Sequence, residues 1–195
     1  MTYEEKLEAF QLGKIYEVSK GTEKAIAQYQ KVIDHAAPNP SEEDHQLTYD
    51  TMYRMMLINL QKVGVVMALA SEMITRFRGE PSFGEKVLFD IAHVYTRIAN
   101  IEDAKTMLVE LIETYPNSRY VLEANLELGK IYHQQLEQPK EAIPHYIAFL
   151  NRTEKYHRLV ASFLSDCYLA TGDTDSALAV IERYTGIKPV ELEEE

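Results

Sequence analysis

Six histidines, one cysteine and thirty-one carboxylates are the side chains that could do chemistry in these 195 residues. His35, His45, His93, His133, His145 and His157 never fall at HExxH or a comparably compact spacing, so no pair stands ready on one helix face to hold zinc. Cys167 is alone, which excludes an internal disulfide and a zinc site of two or more cysteines. It directly precedes Tyr168, a tyrosine that recurs along the chain, and reads as a packing residue. GEPSFGEK at 79–86 has two glycines and a lysine but lacks phosphate-loop spacing and follows a helical pattern, so it reads as an interhelix turn. No GxSxG or dinucleotide fingerprint is present, and paired acids such as Glu42-Glu43 suit helix starts. His93 and His133 are one pair that a repeat register would bring to neighbouring elements. A metal there would need further ligands such as Asp90 or Glu127, and two polar surface residues are the simpler reading. The expectation is a non-enzymatic protein without cofactor or metal.

The net charge of -11 argues against nucleic acid and anionic membranes, because phosphates demand a basic surface. No run of eighteen apolar residues exists to span a bilayer. The N-terminal MTYEEKLEAFQLGKIY carries acids where an export signal would be basic and then apolar, so the chain as written reads as cytoplasmic. Periplasmic residence would follow if an export signal had been removed.

What positions these side chains is helix nearly throughout, with apolar residues at helical spacing and little strand alternation. Punctuation predicts about ten helices. Gly21 is expected to end the first in the left-handed conformation, and Thr22 to cap the second. Ser41 and Asp44 mark the start of the third, and Pro116-Asn117-Ser118 divides the sixth from the seventh. Pro139 suits a first turn, whereas Pro144 lies deeper, where its missing N–H should bend the eighth helix. The ten helices group as five hairpins at about 2–38, 41–79, 82–116, 118–152 and 154–188, in one domain over 1–190, with an acidic tail at 191–195.

The pentapeptide LGKIY occurs at 12–16 and again at 128–132. Aligning the hairpins on it gives Leu12, Gly13, Tyr16, Ala25 and Tyr29 in the first. The third has Ile91, Ala92, Tyr95, Ala104, Leu108, Leu111 and Pro116; the fourth has Leu128, Gly129, Tyr132, Ala142 and Tyr146. The fifth has Leu164, Ser165, Tyr168, Ala177, Ile181 and Pro189. The alanine follows the tyrosine by nine residues in the first, third and fifth, and by ten in the fourth, whose turn QLEQP is one longer. The second hairpin fits poorly, and Tyr53 either is or is not its repeat tyrosine. Small residues at these places let two helices approach closely.

This pattern resembles the tetratricopeptide repeat, with its Leu-Gly, Tyr, Ala, aromatic and Pro positions. The resemblance implies an all-α, right-handed α-solenoid of about five such hairpins whose first helices line a concave wall. Carried onto the ligand-facing positions of the family, it implies a groove with Phe10, Lys14, Phe89, His93, Arg97, Leu126, Lys130 and His133. The implied partner is a protein or peptide with acidic and apolar side chains, its carboxylates meeting Lys14, Arg97 and Lys130. The carboxylate clamp of co-chaperone repeats does not fit, because Phe10 and Lys14 stand where its first Lys and Asn would be. The stretch LIETYPNSRYVLEANLELGKIY is similar to bacterial cell-envelope repeat proteins, of the outer-membrane-assembly lipoprotein and Tol–Pal-associated type, over about 87–149. Two alternatives to a partner-binding scaffold stay open. One is self-assembly through terminal repeats, since helix ten offers Ala179, Val180, Tyr184 and Ile187. The other is small-ligand or metal binding at His93 and His133.

Overall fold

A computed structural model describes residues 1–37 and 40–186. Among these residues ten α-helices follow one another: α1 (Tyr3–Val18), α2 (Thr22–Asp34), α3 (Glu42–Ile58), α4 (Val63–Phe77), α5 (Gly84–Arg97), α6 (Ile101–Thr114), α7 (Val121–Lys130), α8 (Pro139–Leu150), α9 (His157–Ala170) and α10 (Thr174–Thr185). A π-helical turn, Ile131–Gln135, prolongs α7. Among the described residues there is no strand. The expected Pro189 and acidic tail lie outside the described residues.

Start signals explain where the helices begin. Thr2 and Glu5 form a reciprocal capping box on α1, Ser41 Oγ accepts from Asp44 N on α3, and Asp173 accepts from Ser176 N on α10. Pro139 takes the first position of α8, and the helix runs through Pro144 to Leu150.

The helices pack as two compact units, the first from Met1 to Asn100 and the second beginning at Ile101. In the first, α1 packs on α2 and α3 on α4, while α1 also meets α3 and α3 meets α5. In the second, α6 packs on α7, α7 on α8, α8 on α9 and α9 on α10. Short connections make sequential neighbours antiparallel. The architecture is an all-α solenoid arrangement of stacked hairpins.

One register unites the second helix of every hairpin. Its fourth residue is Ala25, Val66, Ala104, Ala142 or Ala177, each buried. Its eighth is Tyr29, Ala70, Leu108, Tyr146 or Ile181, and the first four of these are buried too. The second hairpin therefore exchanges the two sizes, with valine at the small position and alanine at the large one. Its bulk comes from the first helix instead, where Met52, Met55 and Met56 are buried. Bulk and smallness also trade in the two LGKIY hairpins. A Cβ placed on Gly129 would come within 2.5 Å of the Tyr146 ring, and one on Gly13 would strike the Tyr29 ring. In the last hairpin Ser165 Oγ donates across to Ala177 O at 3.3 Å.

The repeat tyrosines also close the turns. The carbonyls of Tyr16, Tyr95 and Tyr168 accept from Gly21 N, Asn100 N and Asp173 N at 2.8, 2.9 and 2.9 Å. The residue before each donor is left-handed: Lys20 (φ 59), Ala99 (φ 59) and Gly172 (φ 83). This is the Schellman closure. It corrects the expectation for the first turn: Lys20 is the left-handed residue, while Gly21 (φ -88) is the N-cap of α2 and Thr22 its first helical residue. The six-to-one bond fixes the left-handed site one residue earlier than the glycine. In the fourth hairpin the extra residue is absorbed by the π-turn. Leu136 N donates to Ile131 O (3.0 Å), Gln138 N to Tyr132 O (2.7 Å), and Glu137 (φ 53) is left-handed.

A side chain in the left-handed region costs about 1–2 kcal/mol, part of which a glycine gives back as unfolded-chain entropy. Ala99→Gly and Lys20→Gly should each raise the melting temperature modestly, by up to about 1 kcal/mol of stability. Gly172→Ala should lower it. Thermal melts followed by circular dichroism check the set.

Candidate functional site: the first-helix faces

Within the first unit, cations from two adjacent first helices converge on one ring. Phe10 on α1 is buried against Tyr29, with ring centroids 5.9 Å apart. Lys14 Nζ lies 5.1 Å and Arg54 Cζ 5.8 Å from the Phe10 centroid. Arg54, on α3, also pairs with Glu17 at 2.7 Å. Burial first, and then the Glu17 carboxylate, push the pKa of the Tyr29 phenol up, while Arg54 opposes them. Gln11, Lys14, Ile15, Glu17, Val18 and Arg54 border an open hollow of about 600 Å³. Phe10, expected in the groove, thus has a core reason to be aromatic. Arg54 was missing from the sequence-derived set because the second hairpin's register was open. α3 ends at Ile58, two residues after Met56, as α1 ends two residues after Tyr16, and this alignment puts Arg54 in the place of Lys14.

Further along the unit, Phe89 is half-buried on α5, and His93 and Arg97 are exposed one turn apart. Beside them Tyr49 Oη donates to Asp90 Oδ2 at 2.7 Å, and Lys86 Nζ lies 3.7 Å above the Tyr49 ring. Lys86 pairs with Asp90 at 3.4 Å and Asp50 at 3.8 Å. Tyr53 has its pKa raised by burial and then by Asp90, with Arg97 acting the other way.

Within the second unit the three remaining residues have partners in their own hairpin and on α9. Leu126 is half-buried against the core of Ala142, Tyr146, Phe149, Leu150, Val160, Leu164 and Cys167. Lys130 Nζ pairs with Glu127 at 2.8 Å, an i,i+3 contact. His133, on the π-turn, meets Tyr146 Oη at 3.4 Å and stands edge-on to Tyr146 and Phe163. His145 donates from Nδ1 to the buried Asn125 Oδ1 at 3.0 Å and stacks on Tyr132. Burial holds its pKa below the usual histidine value, with Glu141 opposing.

Burial pushes the Cys167 thiol up to about 11, away from a reactive thiolate. Among the described residues no group of three or more His, Cys, Asp or Glu is placed to hold a metal ion. Nor, among the described residues, is any helix long and apolar enough to cross a membrane.

Residues 86–118 match the family profile described as tetratricopeptide repeat. No curated protein sequence matches the chain significantly. Solved structures do. The chain is similar to a variant of the nearly identical TPR-like repeats of a Podosopora anserina kinesin light chain. That likeness has a TM-score of 0.66 at 15% identity, over 95% of this chain and 96% of that one. It is also similar to MamA (TM-score 0.63, 17% identity, 90% and 93% covered) and to the apo form of RapI (0.69, 15%, 93% and 69%). The fold is that of the tetratricopeptide repeat. The profile match falls on α5, α6 and the turn after them, where the tetratricopeptide positions Ile91, Ala92, Tyr95, Ala104, Leu108 and Leu111 are all buried. Tetratricopeptide folds generally serve as protein–protein interaction scaffolds.

Proposed function

We propose that the chain is a non-catalytic scaffold that holds an acidic, partly apolar polypeptide segment against its first-helix faces. The observation that carries this is the convergence of Lys14 and Arg54 on Phe10, at the edge of a hollow where Ile15 and Val18 are exposed. An apolar anchor would sit on Val18, and a carboxylate would share Arg54 with Glu17. In the first unit His93 and Arg97, with Phe89 beside them, would add contacts of the same kind, and in the second unit so would Lys130, with Leu126 and His133 beside it. The five hairpins act as one domain in this reading. Kinship with bacterial cell-envelope repeat proteins is part of the proposal and rests on the sequence YPNS at 115–118.

The test is a displayed random-peptide library panned against the wild type and against the triple variant Lys14→Glu, Arg97→Glu, Lys130→Glu. The wild type should enrich acidic sequences with apolar anchors. The variant, folded by circular dichroism, should lose that enrichment by tenfold or more. Identical enrichment by both proteins would reject the reading.

A further inference from the structure

The two copies of LGKIY have the same side chains and opposite exposures. In the second copy Leu128 and Ile131 are 0% and 1% exposed; in the first, Leu12 and Ile15 are 43% and 61% exposed. Equivalent positions in α5 and α9, Ile91 with Val94 and Leu164 with Cys167, are buried as well. The cause is visible in the second unit. There α8 covers α9 and α6 covers α7, so each first helix receives the second helix of the hairpin before it. No helix among the described residues covers this face of α1.

Among the described residues the complementary face is only partly covered on α10, where Tyr184 stands edge-on to His157 and packs on the α8–α9 core. The eighth and eleventh residues of the second helices are Tyr29 and Val32, Ala70 and Met73, Leu108 and Leu111, and Tyr146 and Phe149, all buried. In α10 the same two places hold Ile181 and Tyr184, which are half-exposed. The fifth residue, Leu178, is 44% exposed, whereas its counterpart Ile143 packs against the α8–α9 core. One chain thus carries both halves of a joint that it builds internally between α8 and α9.

We infer that α10 of one copy docks on the Leu12–Ile15 face of α1 of another, head to tail, reproducing the α8–α9 joint between molecules. In that antiparallel joint Leu178 falls on Ile15 and Tyr16. Arg183 comes to the end of α1 that carries Glu4, Glu5 and Glu8, where opposite charge fixes the direction. Glu5 and Glu8 stand where α7 buries Val121 and Ala124, so the apolar seat lies in the C-terminal half of α1. Two isolated apolar side chains on an exposed helix face would be ordinary. Here they are the interface pair of a repeated pentapeptide, matched by a partly covered donor face of the same chain. The contact is heterologous, so each copy keeps one donor and one acceptor face for further copies.

The experiment is light scattering after size exclusion, across a concentration series, on the wild type and two exposed-site variants. Ile15→Glu closes the acceptor face and Leu178→Glu the donor face; circular dichroism establishes that both are folded. The wild-type mass should rise with concentration above that of one protomer. Each variant alone should stay at one protomer. Their mixture should form a dimer of twice the protomer mass and go no further, because each supplies the face that the other lacks. A wild type of constant protomer mass overturns the inference and leaves the α1 face to a partner of other chemistry. So does an association that survives both variants, or a mixture that forms no dimer.

Discussion

Gly129→Leu should unfold or severely loosen the α7–α8 hairpin. Even the first added carbon would lie within 2.5 Å of the Tyr146 ring, and Tyr146 is fully buried among Phe149, Leu150, Val160 and Leu164. A flat ring in such a core cannot step aside as the end of a flexible chain would. Overpacking by a methyl costs about 1–3 kcal/mol, and leucine more. Gly129→Ala should therefore lower stability despite alanine's helical preference of about 1 kcal/mol over glycine. Gly64→Ala is the contrasting case, since nothing lies within 4 Å of its added carbon; it should stabilise. The third hairpin has Ala92 and Leu108 where the fourth has Gly129 and Tyr146. Adding Tyr146→Leu to Gly129→Ala should accordingly recover much of the loss. Urea denaturation monitored by circular dichroism ranks the four proteins, and a Gly129→Leu protein as stable as wild type would refute the assigned crossing.

The second large effect belongs to Asp44→Ala. Lys6 on α1 and Asp44 on α3 form an ion pair with Lys6 Nζ 2.8 Å from both carboxylate oxygens, their side chains 4% and 9% exposed. Removing the carboxylate strands a buried ammonium, at a cost of about 3–5 kcal/mol. That is a large part of the roughly 5–15 kcal/mol that holds a typical domain folded. Replacing both partners by apolar residues of similar size, Lys6→Met with Asp44→Leu, should restore most of the stability, because the desolvation of two charges disappears with them. Denaturant midpoints decide it: a single variant within about 1 kcal/mol of wild type would mean that the pair carries little of the α1–α3 packing.

Much of this architecture is legible in the residues themselves. The tyrosine, small residue and alanine of the first, third, fourth and fifth hairpins are short-range features, and helix geometry ties each to its neighbours. The same holds for the extra residue of QLEQP, although counting it does not show that a π-turn takes it up. The second hairpin was illegible because Val66 and Ala70 reverse the usual sizes and methionines on α3 supply the bulk. No tyrosine turn closure marks its register. The Lys6–Asp44 pair spans 38 residues and joins two hairpins, so no local pattern announces it. Family position alone points to the groove residues, and position does not report depth. Phe10 proves to be core with two cations above it, Lys130 is held by Glu127, and Arg54 enters only once its hairpin is in register.

Photo-crosslinking from within the folded protein tests the scaffold reading most directly. A photoreactive amino acid at position 14, on α1 beside Arg54, is compared with one at position 31, exposed on α2. If the first-helix face is the recognition surface, illumination in a cell extract yields discrete adducts from position 14. These vanish with Arg54→Glu, and position 31 gives none. Adducts from position 31 alone, or adducts from position 14 indifferent to Arg54, would contradict it.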